Sequence, residues 1–95
     1  MPQPVGFILG LVESPPGWID AERALERRFV FADFAEALAF VNRVGALAEA
    51  EGHHPDIEIH WNRVTLRWWT HAKDAITERD LELARRTNDL VSQEG

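Results

Sequence analysis

The sequence contains no cysteine among its 95 residues. This absence excludes disulfides, thiolate metal sites and cysteine nucleophiles, and it removes the covalent links on which many small secreted domains depend. A reducing, cytoplasmic setting is therefore expected. The length fits one small domain, because single hydrophobic cores usually serve chains of roughly 100–150 residues.

Basic residues are also scarce. Lys and Arg number 10 against 16 Asp and Glu, and the formal net charge is −6. Recognition of a phosphate backbone or an anionic membrane generally needs clustered Lys and Arg side chains. Direct binding to nucleic acid or to a membrane surface is therefore not expected.

Long hydrophobic runs are missing as well. The longest, Val5 to Val12, holds eight residues and includes two glycines, whereas a membrane-spanning helix needs roughly 20 apolar residues. The first basic residue is Arg23, so the basic region that opens a signal peptide is lacking. We expect neither a membrane span nor an export signal.

Prolines divide the beginning of the chain from the rest. Four of the five prolines precede Gly17, and they confine any early regular element, a short helix or strand, to residues 5–13. The alternation of side chains from Leu25 to Phe31 predicts a strand. Residues 18–22 are a possible earlier partner for it.

The middle of the chain has the pattern of an amphipathic helix. Asp33 followed by Glu36 is a capping-box pair that marks a helix start. Apolar residues then recur at spacings of three and four up to Gly52, which is a natural left-handed stop. One helix is therefore predicted between Asp33 and Gly52.

The remainder of the chain predicts a hairpin and a second helix. Ile57, Ile59 and Trp61 alternate with polar residues, Asn62 provides a turn, and a third alternating segment begins at Val64. A second capping-box pair, Thr77 and Asp80, then opens a helix, and Ile76 and Leu81 occupy the positions of a hydrophobic staple. The predicted fold class is α+β, a two-layer domain in which an antiparallel sheet of about four strands has helices packed on one face.

Three histidines lie at predicted element ends, where functional sites are commonly built. They are His53, His54 and His71. Imidazole titrates near physiological pH, so an acid and a base can come from one such set. Pro55 forces His54 into an extended conformation, and the two adjacent rings should therefore project to opposite sides unless a concave wall curves around them or one ring turns inward. Either ring could instead serve only the carbonyls at the end of the helix.

Other readings of the polar residues are weaker. His60 lies in mid-strand among acidic residues, which indicates a solvated face and no catalytic role. Three imidazoles can bind zinc, but this spacing matches no metal motif, and we predict no metal. The two serines, Ser14 and Ser92, lie near the chain ends and lack a nucleophile-elbow context.

Four stretches carry a family resemblance: residues 49–57 (EAEGHHPDI), 61–64 (WNRV), 68–71 (WWTH) and 76–80 (ITERD). Together with Gly17-Trp18 and the segment from Leu25 to Phe40, they resemble the pterin-4a-carbinolamine dehydratases over residues 15–90. The specificity of the resemblance comes from His-His-Pro, the Thr-His pair at this distance and the later Thr-x-x-Asp.

The resemblance implies a lyase without metal or organic cofactor. Such an enzyme removes water from 4a-hydroxytetrahydropterin to give quinonoid dihydropterin, and so recycles the tetrahydropterin of aromatic amino acid hydroxylases. The implied catalytic residues are His53, His54 and His71, and the implied substrate-binding residues are Glu49, Pro55, Trp69, Thr70 and Asp80. His54 and His71 would donate and accept protons while His53 orients or assists. Asp80 could equally be only a helix cap, Glu49 a solvated helix residue and Trp69 a packing residue.

The resemblance also carries expectations about organisation and partners. It divides the chain into a variable segment, 1–16, with a shortened or altered first helix, and a dehydratase-like domain, 17–95. It implies a homodimer or homotetramer that binds a pterin. The alternative is a non-catalytic interaction protein, such as a Rubisco assembly factor or a dimerisation cofactor of transcription factors, and the retention of all three histidines favours the enzyme.

Overall fold

The computed structural model describes residues 14–92, and these form four strands and two helices. In chain order they are β1 (Ile19–Ala21), β2 (Ala24–Val30), α1 (Phe34–Glu51), β3 (Asp56–His60), β4 (Arg63–Trp68) and α2 (Glu78–Ser92). This order confirms the predicted succession of strands and helices. The short element predicted within residues 5–13 lies outside the described residues.

The four strands pair antiparallel in the order β1-β2-β4-β3. Phe29 of β2 and Ile59 of β3 both lie opposite Val64 of β4. Because successive side chains of a strand point to opposite faces, these three residues share one face of the sheet. The sheet is thus apolar on this face, while its other face carries residues such as Arg28 and Glu58.

The hairpin between β3 and β4 differs from the prediction at Trp61. The alternation places Trp61 inside a strand, but the structure ends β3 at His60 and puts Trp61 in the turn, with φ 54 and 67% of its surface exposed. A two-residue connection needs left-handed backbone to match the twist of the strands. Asn62 then ties the turn to β2, since its side-chain amide donates to the Phe31 carbonyl at 2.9 Å.

Helix α1 begins and ends where the sequence predicts. The Asp33 carboxylate accepts a hydrogen bond from the Glu36 backbone N–H at 2.9 Å, and the Glu36 side chain reaches back to the N–H of Ala32 at 3.3 Å. Gly52 ends the helix with φ 64, and its N–H turns back to the carbonyls of Ala48 and Glu49. A left-handed residue is required there, and it delivers the chain directly into His53.

The core fills the space between the apolar sheet face and both helices. Its buried members are Trp18, Leu25, Phe29, Ala37, Phe40, Val44, Ala48, Val64, Leu66, Trp68, Leu81, Leu83 and Ala84. Full burial of a large apolar side chain contributes about 1.5–3 kcal/mol. The core residues come from both helices as well as from the sheet, so both helices pack against the sheet. This packing confirms the predicted two-layer α+β fold. No helix within residues 14–92 is long and apolar enough to cross a membrane.

An ionic cluster joins the end of α1 to the exposed side of α2. The Glu51 carboxylate lies 2.9 Å from Arg86 and 3.3 Å from Arg79, and the Arg79 guanidinium also donates to the Glu51 carbonyl. The hydrogen bond from Arg86, supported by Arg79, holds the pKa of Glu51 below its ordinary value. The cluster thus fastens the last turn of α1 to the helix that begins beside the histidines.

We expect the Glu51→Gln variant to be less stable than the wild type at neutral pH and to lose this deficit in acid. Because the pKa of Glu51 is lowered in the folded state, its stabilisation is present above the usual glutamate pKa of about 4.3 and disappears as the pH falls through the folded value. Urea unfolding at neutral pH and at about pH 3 measures the two free energies of unfolding.

The matched control is Asp89→Asn, which neutralises an exposed carboxylate of α2 that has no ion pair within residues 14–92. Any difference between its free energy of unfolding and that of the wild type should be the same at both pH values. A Glu51→Gln deficit of equal size at both pH values would contradict the role assigned to the cluster.

Candidate functional site

His53 turns inward from the end of α1. Its Nε2 lies 2.7 Å from Oδ1 of Asp80, and only 15% of its side chain is exposed. The ring stacks nearly parallel on Trp68 of β4, with 9° between the planes and 5.9 Å between the centroids. A carboxylate accepts, so the Nε2–H of His53 donates to Asp80. The imidazole is therefore fixed in tautomer and orientation.

Asp80 is a fully buried residue in the first turn of α2. Its Oδ2 accepts hydrogen bonds from the Thr77 backbone N–H and from the Thr70 hydroxyl, both at 2.8 Å. A carboxylate at this place also suits the positive end of the helix dipole. The same carboxylate thus caps α2 and orients His53.

The capping box predicted for α2 forms only in part. Asp80 does reach back to the Thr77 N–H, but the Asp80 N–H donates to the Thr77 backbone carbonyl at 3.0 Å. The Thr77 hydroxyl lies 2.7 Å from the hydroxyl of Thr70 instead. The two threonines therefore connect the end of β4 with the start of α2.

His54 points the other way. Its Nε2 lies 2.6 Å from Oε2 of Glu49 in the last turn of α1, and the two side chains are 59% and 79% exposed. Divergence of the two rings is the expected consequence of the extended backbone that Pro55 imposes. His54 is thus a solvent-accessible imidazole with a carboxylate partner, in contrast to buried His53.

His71 lies beneath the indole of Trp69 just after β4. The ring centroids are 3.9 Å apart, and the Trp69 Nε1–H donates to Oδ2 of Asp56 at 3.0 Å. The following loop folds back on Thr70, whose carbonyl accepts from the Asp74 N–H at 2.8 Å. The imidazole of His71 therefore stands on a short closed loop against an aromatic wall.

One cavity of about 260 Å³ brings these side chains together. It is lined by Gly52, His53, His54, Trp69, Thr70, His71 and Ala72. Its walls are mainly imidazole and indole rings, and its volume suits only a small ligand. One imidazole is buried and oriented by a carboxylate, and two are exposed at the walls, so the cavity holds groups that can donate and accept protons at neutral pH.

The remaining predicted residues lie around this cavity. Glu49 contacts His54, which lines the cavity. Asp80 contacts two other lining residues, His53 and Thr70. Pro55 is half-buried and does not belong to the cavity lining. Outside it, His60 lies on the open face of the sheet, 3.5 Å from Glu58, in a broader depression of about 330 Å³.

Two contributors are missing from the sequence-based set. Trp68, which continues the alternation that begins at Val64, is the ring on which His53 stacks, and its Nε1–H donates to the Thr87 hydroxyl at 3.1 Å. Asp56 anchors the indole of Trp69. The alternation identifies Trp68 as buried, but no local pattern indicates either contact, since both join residues from different elements. Within residues 14–92 no cluster of metal-ligating side chains has the arrangement to hold an ion.

Comparisons with known proteins identify the family of the chain. The family model described as Pterin 4 alpha carbinolamine dehydratase matches residues 8–90. A protein of Thermomicrobium roseum, provisionally named pterin-4-alpha-carbinolamine dehydratase, is 52% identical over 85 residues, which cover 90% of this chain and 91% of that protein. A protein of Syntrophotalea carbinolica with the same provisional name is 47% identical over 88 residues, covering 88% and 79%.

Solved structures share the fold. The transcriptional coactivator/pterin dehydratase from Brucella melitensis superposes with a TM-score of 0.73 at 35% identity, over 79% of this chain and 82% of that one. A pterin dehydratase-like protein identified as a RuBisCO assembly factor in the α-carboxysome gives a TM-score of 0.61 at 28% identity, over 70% and 77%. By the family model and by relatives near 50% identity, the chain belongs to the pterin-4a-carbinolamine dehydratase family, a family of hydro-lyases.

Proposed function

We propose that this protein removes water from 4a-hydroxytetrahydropterin by general acid–base catalysis with histidines. The observation that carries the proposal is the cavity in which His53, His54 and His71 lie together beside an indole. The substrate is a small bicyclic molecule with polar groups at its edges, and such a ligand matches a small cavity with aromatic and imidazole walls. Recycling of the tetrahydropterin used by a hydroxylase is the corresponding physiological role.

The reaction needs one proton donor and one proton acceptor. Protonation of the 4a-hydroxyl lets the carbon–oxygen bond break with loss of water, while the ring nitrogen lone pair forms a double bond and a nitrogen-bound proton leaves. His54 and His71 take these two roles, because both are exposed at the cavity walls. General acid–base groups typically contribute about 10²–10⁴-fold each in rate.

His53 is an orienting group in this proposal. Its Nε2–H is engaged by buried Asp80, and its ring is held flat on Trp68. A ring held in this way is a rigid part of the cavity wall, and it can position the substrate for the two exposed imidazoles.

Glu49 is assigned to His54 for a related reason. The 2.6 Å contact joins the His54 Nε2 and the Glu49 carboxylate directly, and both side chains are more than half exposed. Glu49 therefore orients the His54 imidazole at the cavity wall, in support of its role as proton donor to the leaving hydroxyl.

A non-catalytic role is the second candidate. The likeness to a dehydratase-like RuBisCO assembly factor favours it, and a scaffold of this kind can serve protein assembly without chemistry. The intact set of histidines in one cavity favours the enzyme. A wild-type protein with no dehydratase activity above the uncatalysed rate would leave the assembly role as the better account.

The histidines give the central test. His54→Ala and His71→Ala should each lower kcat for dehydration by about 10²–10⁴-fold, down to the uncatalysed rate where that is reached first. Stopped-flow absorbance of quinonoid dihydropterin, formed from 4a-hydroxytetrahydropterin, measures the rate. His60→Ala is the matched control, because this imidazole lies on the open sheet face away from the cavity. Undiminished rates in both cavity variants would sink the proposal.

The Asp80→Asn variant should show whether Asp80 orients His53 for catalysis in addition to capping α2. The amide presents an N–H in place of one of the two oxygens that now accept from His53, Thr70 and Thr77. The network that orients His53 is then broken, and kcat should fall at least tenfold. Asp33→Ala removes the corresponding cap of α1, far from the cavity, and should cost about 0.5–2 kcal/mol of stability with kcat unchanged. Equal kcat in Asp80→Asn and the wild type would mean that Asp80 is only a helix cap.

A further inference from the structure

Helix α2 packs a stripe of four fully buried side chains against the core. Two of them, Leu83 and Ala84, are apolar, and the other two are Asp80 and Thr87. Their spacings of three, four and seven residues place all four on one face of the helix. Asp80 and Thr87 are the two buried polar residues within residues 14–92. Asp80 binds His53 directly, and Thr87 lies about two helical turns further along the same face.

The Thr87 hydroxyl makes two hydrogen bonds of defined direction. It accepts the Nε1–H of Trp68 at 3.1 Å and donates to the Leu83 backbone carbonyl at 2.7 Å. An indole nitrogen can only donate, so the single hydroxyl proton is left for Leu83. Threonine forms helices less readily than leucine, the usual residue of a buried helix face. The indole partner explains why a hydroxyl occupies this buried position.

Trp68 transmits this restraint to His53. Its side chain is fully buried at the end of β4, and the His53 ring lies nearly parallel to the indole, with 9° between the planes. A flipped or tilted indole would leave its N–H buried without a partner, which is costly. The hydrogen bond to Thr87 therefore fixes the plane against which His53 stacks.

One helix thus holds His53 from two directions. Asp80 binds the edge of the imidazole at Nε2, and Thr87 acts on its face through Trp68. We propose that Thr87 is a positioning residue of the dehydratase, because it fixes the indole of Trp68 and thereby the tilt of His53 in the cavity wall. This inference rests on the proposed function.

The place of Trp68 in the chain extends the effect to the rest of the cavity. Trp69, Thr70 and His71 follow it directly, and all three line the cavity. A displacement of about 1 Å in positioning groups can lower a rate by about 10²-fold. Loss of one hydrogen bond to the indole should have a smaller effect, about threefold to tenfold in kcat.

Two substitutions of Thr87 separate positioning from packing. Thr87→Val keeps the shape of the side chain without the hydroxyl, whereas Thr87→Ser keeps the hydroxyl without the methyl group. Thr87→Val should lower kcat for dehydration about threefold to tenfold, and Thr87→Ser should stay within about twofold of the wild type. A packing role gives the reverse order, because Thr87→Ser leaves a void in the core. That order, or an unchanged kcat in both variants, overturns the proposal.

A double-mutant cycle tests whether Thr87 acts through the indole. Trp68→Phe keeps an aromatic ring against His53 but has no N–H for Thr87. In the Trp68→Phe background, Thr87→Val should have no further effect on kcat, whereas effects that multiply would contradict the proposal. Thr65→Val is the matched control and should leave kcat unchanged, because Thr65 lies outside the cavity, opposite Arg28 and Glu58 on the open sheet face. Thermal unfolding identifies the variants that are folded at the assay temperature.

Proton NMR separates this inference from the proposed function. Because the rings stack, the ring current of Trp68 displaces the chemical shifts of the carbon-bound His53 ring protons. These shifts should change in Thr87→Val and keep their wild-type values in Thr87→Ser. Unchanged shifts in Thr87→Val overturn the positioning role even when the enzyme is active. If the wild type does not exceed the uncatalysed rate, the proposed function fails, and the shifts still decide whether Thr87 sets the tilt of His53.

Discussion

The buried carboxylate of Asp80 is the interaction on which the site and much of the fold depend. It accepts hydrogen bonds from three parts of the chain: Thr70 after β4, Thr77 at the start of α2 and His53 after α1. A charge removed from water is costly unless it is fully hydrogen-bonded. The folded state therefore tolerates Asp80 only when these three segments meet, and their meeting is what forms the cavity.

This constraint assigns different tasks to chemically identical side chains. His53 belongs to the buried network and is held by Asp80 and the ring of Trp68, so its position is as rigid as the core. His54 and His71 lie outside that network, one beside Glu49 and one beneath Trp69. The proton transfer that we propose would thus use two solvent-accessible imidazoles beside one that is rigidly held.

Local patterns predict the parts of the structure that local physics determines. The Asp33 cap and the Gly52 stop are both read correctly, because capping depends on residues three or four apart. The cavity residues are predicted by the family resemblance. Neither indicates that His53 turns inward or that Trp69 binds Asp56, since these contacts depend on how helix and sheet pack. The prediction for Trp61 is wrong for a related reason. The turn includes Trp61 with a left-handed backbone, whereas the alternation predicts it in a strand.

The extent to which each contact is buried also determines whether stability and activity can change independently. The network around Asp80 is shared by helix capping, sheet-to-helix connection and His53, so a substitution there alters folding and chemistry together. The Arg23–Asp74 ion pair is different, because both side chains are more than half exposed, and ion pairs at the surface contribute little stability. Residues such as Arg23 can therefore vary without loss of the fold. The dehydration that we propose depends on the network around Asp80 and on the exposed histidines beside it, whereas the surface pairs can change separately from both.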